Sequence, residues 1–174
     1  MKRSIKLWQW MGFAITSFGG TMLHFIYEWL GESPFIAPFS GVNESTWEHM
    51  KLLFWPMFLY AIFESFFFRD REDFWNIKLR GILLGLIIIP FLFYTYNGVI
   101  GKSPDFINIL IFFTSAATAF IYETNKFQDE PIIYSNPRTE IGVLSLIAFL
   151  FVIFTYRTPH LAIFKDPLTG AFGI

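Results

Sequence analysis

Residues 79–98 read LRGILLGLIIIPFLFYTYNG, and this stretch decides the fold class. Its only charged residue is Arg80, and the stretch is apolar from Gly81 to Phe93. At a rise of 1.5 Å per residue, about 20 mainly apolar residues form a helix long enough to cross a bilayer. The stretch therefore predicts a transmembrane helix, and Pro90 is expected to kink it.

The composition of the whole chain agrees with this prediction. The 174 residues are 54% hydrophobic and 16% charged, and 24 of them are Phe. Soluble domains carry about 25% charged residues, so the sequence predicts an integral membrane protein. The net charge of −1 gives no indication of nucleic-acid binding. The absence of Cys excludes disulfides, thiol nucleophiles and cysteine metal ligands.

The predicted fold class is all-α, a polytopic transmembrane helix bundle. Five segments qualify as spans, at about 8–30, 47–68, 79–98, 105–122 and 140–157. No repeat or linker separates them, so we expect a single integral membrane domain over residues 1–174. The first segment exceeds the apolar region of about 7–15 residues in a signal peptide, and we interpret it as a retained span. The tail after the fifth span is expected to fold back over the end of the bundle.

Lys and Arg residues predict the orientation. Nine of the 13 lie before the first span, in or beside the loop between the second and third spans, or in the loop after the fourth span. The other four lie on the opposite side: Lys51, Lys102, Arg157 and Lys165. The positive-inside rule places the N-terminus in the cytoplasm and the C-terminus outside. Acidic residues on the cytoplasmic side, among them Glu123, are interpreted as a solvated rim, and Glu64 is set apart as an exception because it lies a turn inside the second span.

Polar side chains gather at the predicted outer end, most densely in the stretch GVNESTWEHMK at residues 41–51. His24 and Glu28 are four residues apart and share a helix face. Ionisable residues inside membrane spans usually face the protein interior and mark function. The side chains that we expect to converge at this end are His24, Glu28, Asn43, Glu44, Glu48, His49, Tyr94, Tyr96, Arg157, His160 and Asp166.

The first functional hypothesis is a metal-dependent membrane enzyme. His24, His49 and His160 would bind zinc or another divalent metal, and a metal-bound water would hydrolyse a lipid or other amphiphile. Glu44, Glu48 and Asp166 are the candidate catalytic carboxylates. The candidate residues for supporting the histidines or contacting the substrate are Glu28, Asn43, Tyr94, Tyr96 and Arg157.

Two further hypotheses need no metal. In one, His24, Glu28 and Glu48 bind a lipid or sterol-like molecule in an aromatic cavity and transfer protons. In the other, the protein is a non-enzymatic accessory or assembly subunit. The polar stretch also has a purely structural interpretation, because Ser45 and Glu48 fit an S-x-x-E capping box and Glu48 can pair with Lys51.

The stretch LHFIYEWLGESPFIAPFSGVNESTWEHMKLLFWPMF at residues 23–58, with the tail TYRTPHLAIFKDPLTG at 155–170, resembles an uncharacterised family of small bacterial membrane proteins. That resemblance implies a five-span fold in a bacterial plasma membrane and gives no activity. The step from His24 to Glu28, and Glu48 ahead of LLFWP, resemble features of the emopamil-binding and sigma-2-receptor-like sterol isomerase group. The expected metal site of three histidines is similar to that of the alkaline-ceramidase and adiponectin-receptor-like membrane hydrolases, which hold zinc between helices with three histidines.

Overall fold

The computed structural model describes residues 2–101, 104–131 and 136–174. Within these residues the chain forms five α-helices, and the only extended pairing is an isolated bridge between Lys165 and Phe172. The helices are α1 Lys2–Trp29, α2 Thr46–Ser65, α3 Phe74–Val99, α4 Asp105–Gln128 and α5 Pro137–Tyr156, and a short 3-10 turn follows at Ala162–Phe164. The prediction of an all-helical fold is confirmed.

Each predicted segment corresponds to one helix, with differences at the ends. α1 begins at Lys2 rather than near residue 8, and α3 begins at Phe74 rather than 79. α4 continues to Gln128 although the predicted span ends at 122. The prediction stopped at Glu123 because a charged residue usually marks the edge of a span. In the structure Glu123 is fully buried inside the helix.

The helices run alternately up and down, and α2 is central. α1, α2, α3 and α4 pack in a ring, and α5 packs against α2 and α3. Twelve of the 20 residues of α2 are buried, and six of them, between Leu52 and Tyr60, belong to the main core with Leu86, Phe112, Leu144 and Phe151. Pro56 and Pro90 lie inside α2 and α3, and both helices continue through them.

Three helices of the described residues are long and apolar enough to cross a membrane, not the five that we predicted. They are Phe74–Val99, Phe106–Gln128 and Pro137–Tyr156. α2 does not qualify because it carries Glu48, Lys51 and Glu64, all of them buried against neighbouring helices. α1 does not qualify because its Gly, Ser, Thr, Gln and His residues lower its mean hydropathy. The apolar content of a segment indicates how well its surface suits contact with lipid. A helix that other helices enclose has less contact with lipid, so it can be more polar.

Large apolar side chains cover the outer surface of the three apolar helices. They are 55–65% exposed at Ile87, Phe91, Leu110, Ile121, Leu146 and Phe149. Soluble proteins rarely expose contiguous apolar surface on this scale. The surface is that of a membrane protein.

The C-terminal tail folds back over one end of the bundle, as the sequence predicted. Phe164 in the 3-10 turn is buried, and its ring centroid lies 4.6 Å from that of Trp47 at the start of α2. The side-chain amide of Asn43 donates to the carbonyl oxygen of Gly173 at 3.2 Å. The end of the bundle that the tail covers also carries all three histidines, and we call it the histidine end.

Close packing between helices makes Gly12 a sensitive position. A Cβ atom at Gly12 would lie 2.5 Å from Cε1 of Phe120 and 2.6 Å from Cε1 of Tyr60. Both rings are buried, and the Tyr60 hydroxyl is held by the carbonyl oxygen of Trp8 at 2.7 Å. We expect Gly12→Ala to lower the free energy of unfolding by about 1–3 kcal/mol through overpacking.

The matched control is Gly142→Ala in α5, where an added Cβ meets nothing within 4 Å. That variant should be neutral or gain up to about 1 kcal/mol from helix propensity. Thermal unfolding of both variants in the same detergent compares them. Equal melting temperatures for the two variants would show that the α1, α2 and α4 contact is looser than described.

Candidate functional site

The buried ion pair between Lys51 and Glu48 organises the histidine end. Lys51 Nζ lies 2.6 Å from Glu48 Oε2, and it donates to Ala37 O at 2.8 Å and to Thr155 Oγ1 at 3.0 Å. Lys51 is fully buried and Glu48 is 3% exposed. An ammonium group has three donors, and here each has an acceptor. Lys51 therefore ties α2 to the α1–α2 loop and to α5.

The start of α2 combines a helix cap with a loop anchor. Ser45 is the N-cap, and its Oγ accepts the Glu48 backbone N–H at 3.4 Å. In a full capping box the Glu48 carboxylate would return to the Ser45 N–H. Instead it accepts the Val42 N–H at 3.0 Å, and Asn43 Oδ1 accepts the Ser45 N–H at 2.9 Å. The interpretation of this stretch as a helix cap is thus correct for Ser45. The Glu48 carboxylate does not complete the capping box, and it holds the loop through Val42 instead.

Three predicted residues, His24, Glu44 and His49, face one another at this end. His24 Nε2 lies 3.5 Å from Glu44 Oε1, and His49 Nε2 lies 3.6 Å from Glu44 Oε2. The two imidazole centroids are 5.9 Å apart. Glu44 therefore lies between the two rings, at distances longer than a typical N–H···O hydrogen bond. His24 was paired with Glu28 in the sequence analysis, and the carboxylate that it faces is Glu44.

The contact of His49 Nδ1 determines the tautomer of the imidazole ring. His49 Nδ1 lies 3.0 Å from the carbonyl oxygen of Ser45, which can only accept a hydrogen bond. Nδ1 therefore carries a proton, and Nε2 of a neutral His49 is an acceptor. An acceptor nitrogen then faces the acceptor oxygens of Glu44. The arrangement is satisfied by a proton, a cation or a donor group placed between them.

A cavity of about 270 Å³ lies beside the two histidines, between α1 and α4. Its lining is mainly apolar, and His24 and His49 are its only ionisable members. The lining residues are Gly20, Thr21, His24, Phe25, His49, Asn108, Ile109, Phe112 and Phe113. Phe25 and Ile109 are 40% and 57% exposed, so the cavity reaches the outer surface of the bundle.

The other predicted site residues lie outside this group. Glu28 and Arg157 are exposed at helix ends, Tyr94 is 41% exposed on α3, and Tyr96 is partly buried. His160 is exposed and its ring stacks on Phe172 with centroids 4.7 Å apart. Histidine 160 thus belongs to the tail, and Asn43 contacts that tail through Gly173.

Asp166 shapes a turn within the tail. Its Oδ1 accepts the Leu168 N–H at 2.7 Å, and its Oδ2 accepts the Thr169 hydroxyl at 2.8 Å. The backbone N–H of Asp166 donates to Ala171 O, and its carbonyl accepts from Gly170 N. Both carboxylate oxygens are occupied by the tail itself.

The predicted three-histidine metal centre does not assemble in the described part of the chain. No group of three or more His, Asp or Glu residues there is arranged to hold a metal ion. His24 and His49 come together with Glu44, but His160 stacks in the tail. The residues as placed therefore do not fit the expected metal centre.

Glu123, which we interpreted as part of a solvated rim, and Glu64, which we set apart from that rim, are both buried at the other end of the bundle. Glu64 and Glu123 have no exposed surface, and both form ion pairs with buried Lys78. The signal in the sequence was a set of opposite charges at similar depth on neighbouring helices. We had taken the charge of Glu123 alone as a sign of water contact.

Comparison with protein families identifies the family of this chain. A profile described as "Family of unknown function (DUF6512)" matches residues 1–174. The chain belongs to this family. The expected membership of an uncharacterised family is confirmed over the whole length of this DUF6512 chain. No curated protein and no solved structure matches it, and the likeness to the emopamil-binding group stays a prediction.

The Lys51 ion pair gives a prediction for this DUF6512 protein. Lys51→Met leaves the Glu48 carboxylate buried without its cation, and we expect a loss of about 3–5 kcal/mol in the free energy of unfolding. The double variant Glu48→Gln with Lys51→Met removes both charges and should be more stable than Lys51→Met alone. Denaturant or thermal unfolding in detergent measures both.

The control is Lys126→Met, which breaks a pair of the same i,i+3 spacing on the surface. Lys126 Nζ and Asp129 Oδ2 are 2.8 Å apart, with side chains 41% and 58% exposed. Exposed pairs contribute little, so this variant should unfold like the wild type. A loss as large as that of Lys51→Met would refute the special role of burial.

Proposed function

We propose that this chain is a five-span membrane protein that binds an amphiphilic small molecule at the histidine end. In this proposal all five helices cross the bilayer, the N-terminus is cytoplasmic and the histidine end faces outward. The Lys and Arg distribution supports the orientation. Enclosure of the polar residues of α2 by its neighbours supports a transmembrane position for that helix.

The observation that carries the proposal is the cavity beside His24 and His49. It combines an apolar lining, an outlet between Phe25 and Ile109, and two imidazoles that converge on one carboxylate. Ligand sites are typically concave and mostly apolar, with a few convergent polar groups. A lipid-like molecule matches this pattern, because its polar end can meet the histidines and its apolar part the phenylalanines.

The size and position of the cavity suit part of an amphiphile. About 270 Å³ is slightly below the roughly 300–1,000 Å³ of pockets that enclose whole drug-sized ligands. We infer that the head and the first carbons lie inside. The remaining chain would leave between Phe25 and Ile109, which are exposed on the outer surface.

The polar end of the cavity has the groups needed for proton transfer. His49 Nε2 and His24 Nε2 lie on either side of the Glu44 carboxylate. An amine of the ligand placed there could donate to both His49 Nε2 and the Glu44 carboxylate, and a hydroxyl could donate to one of them. Histidine exchanges protons near neutral pH, and a positioned pair can act as acid and base. The reaction class supported is therefore a proton transfer, such as an isomerisation.

Glu44 takes the role that we had given to Glu48. Glu48 is occupied by Lys51 and Val42, and it does not line the cavity. Glu44 is 37% exposed and faces both histidines. The metal-free hypothesis is thus retained with a different carboxylate.

Filling the cavity tests ligand binding. Thr21 lines the cavity, and its hydroxyl donates to Ser17 O at 2.8 Å. We expect Thr21→Trp to reduce the amount of co-purifying amphiphile more than tenfold, which is about 1.4 kcal/mol. Mass spectrometry of extracts from the purified protein measures the retained molecules.

Thr118→Trp is the matched control. Its hydroxyl makes the same bond to a carbonyl four residues earlier, also at 2.8 Å, and Thr118 does not line this cavity. Thr118→Trp should retain the amphiphile at the wild-type level. Equal retention in wild type and both variants would exclude the cavity as the binding site and favour the accessory-protein hypothesis.

A divalent metal is the competing occupant, and metal analysis separates it from the amphiphile. We expect elemental mass spectrometry of protein purified without chelators to find no stoichiometric metal. One metal per chain, lost in His24→Ala and His49→Ala and kept in His160→Ala, would overturn the metal-free proposal. The His160 control distinguishes the cavity from the tail, where that ring stacks on Phe172.

A further inference from the structure

A second polar cluster lies at the opposite end of the bundle from the histidines. Lys78 of α3 is placed between Glu64 of α2 and Glu123 of α4. Its Nζ lies 2.6 Å from Glu123 Oε2 and forms an ion pair with Glu64 Oε2. Gln9 of α1 donates to Glu64 Oε1 at 2.7 Å and accepts from Lys78 at 3.4 Å. We call Glu64, Lys78 and Glu123 the buried triad.

No member of the triad has measurable contact with solvent. Glu64 and Glu123 are 0% exposed, and Lys78 and Gln9 are 1% exposed. Four aromatic rings surround the ammonium group, with centroids 5.4–5.7 Å from Nζ, at Tyr60, Phe74, Phe120 and Phe127. Aromatic faces favour the charged lysine, so Lys78 is the stable cation of the cluster.

The charges of the triad do not balance. Two ionised carboxylates and one ammonium would leave a net charge of −1 in the core. The neighbouring polar groups offer no compensation. Tyr60 donates its hydroxyl to Trp8 O at 2.7 Å, and Arg71 is paired with Asp73 at 2.6 Å. Gln9, the polar side chain from α1, is neutral.

One oxygen of the triad identifies where the imbalance lies. Glu123 Oε1 is buried and makes no hydrogen bond. It lies against Gly81, where an added Cβ would overlap the Glu123 carboxylate. An unpaired buried charge is strongly unfavourable, and two carboxylates that share a site do not both ionise. A proton on a carboxyl group removes the excess charge without any new side chain.

We propose that Glu64, Lys78 and Glu123 form a proton-binding site that holds one proton on its two carboxyl groups. The site is separate from the histidines and goes beyond the binding of an amphiphile. Glu123 carries the proton on the oxygen that lacks a partner, and Glu64 stays ionised between Lys78 and Gln9. The protein then has an exchangeable proton in the middle of four helices.

Gln9 connects the triad with a second cavity. This cavity has a volume of about 320 Å³ between α1 and α4 and includes Gln9 and Phe120 among its walls. Lys6, Thr124 and Asn125 give it a polar end. The cavity therefore approaches the triad at the Gln9 amide, which contacts both Glu64 and Lys78.

Infrared spectroscopy of the purified full chain, labelled with ¹³C at the Glu side-chain carboxyl, tests the proposal. A protonated carboxyl has its own C=O stretching band, distinct from that of a carboxylate. At neutral pH we expect a band of one protonated Glu that shifts in D2O. Glu123→Gln should abolish the band, and Lys78→Met should double it because two carboxyls then need protons.

Glu48→Gln is the matched control, because Glu48 is also buried but is paired one to one with Lys51. It should leave the band unchanged. Absence of the band in the wild type, a band that does not shift in D2O, or a band lost in Glu48→Gln and kept in Glu123→Gln would overturn the proposal. If Glu123→Gln does not fold, the doubling in Lys78→Met decides the assignment with both carboxyls intact.

Discussion

The histidine end of the protein depends on the buried ammonium group of Lys51. Its three donors meet a carboxylate of α2, a carbonyl of the α1–α2 loop and a hydroxyl of α5. The same carboxylate, Glu48, accepts the Val42 N–H and so fixes the loop two residues before Glu44. Glu44 can then reach both His24 and His49. A structural ion pair that does not line the cavity therefore positions Glu44 between the two histidines that do.

The sequence was sufficient to predict the helices and which end the polar residues share. Apolar stretches such as 79–98 can form only helices in a bilayer, and alternation of the helices brings the end of α1 to the start of α2. Neither argument determines how a helix is rotated about its axis. The sequence of α2 therefore left open whether Glu48 pairs with Lys51 or joins the site, and it did not predict that Glu44, in the loop before α2, faces the histidines. The local pair His24 and Glu28 was therefore preferred over the tertiary pair with Glu44.

The same limit explains the wrong interpretation of Glu123. Hydropathy assigns each charge a cost of burial as though it were alone. Lys78 removes most of that cost, but it lies 14 residues from Glu64 and 45 from Glu123 along the chain. Only the packing of α3 between α2 and α4 brings the three together. Two helices that carry charges of opposite sign at equal depth can be more deeply buried than either sequence alone indicates.

Polar groups whose charges and hydrogen bonds are all satisfied have a structural role. Groups that lack a partner are the ones that can bind a proton or a ligand. Lys51 and Glu48 satisfy each other, and Asp166 is satisfied by its own turn. Two ionisable sites among the described residues remain unbalanced. At one, the acceptor Nε2 of His49 faces the Glu44 carboxylate; at the other, Glu123 Oε1 is buried without a donor. Buried polar groups are almost always paired, so each imbalance marks a position where a proton or a ligand donor completes the structure. The first opens to a cavity large enough for part of an amphiphile, and the second is enclosed and admits only a proton.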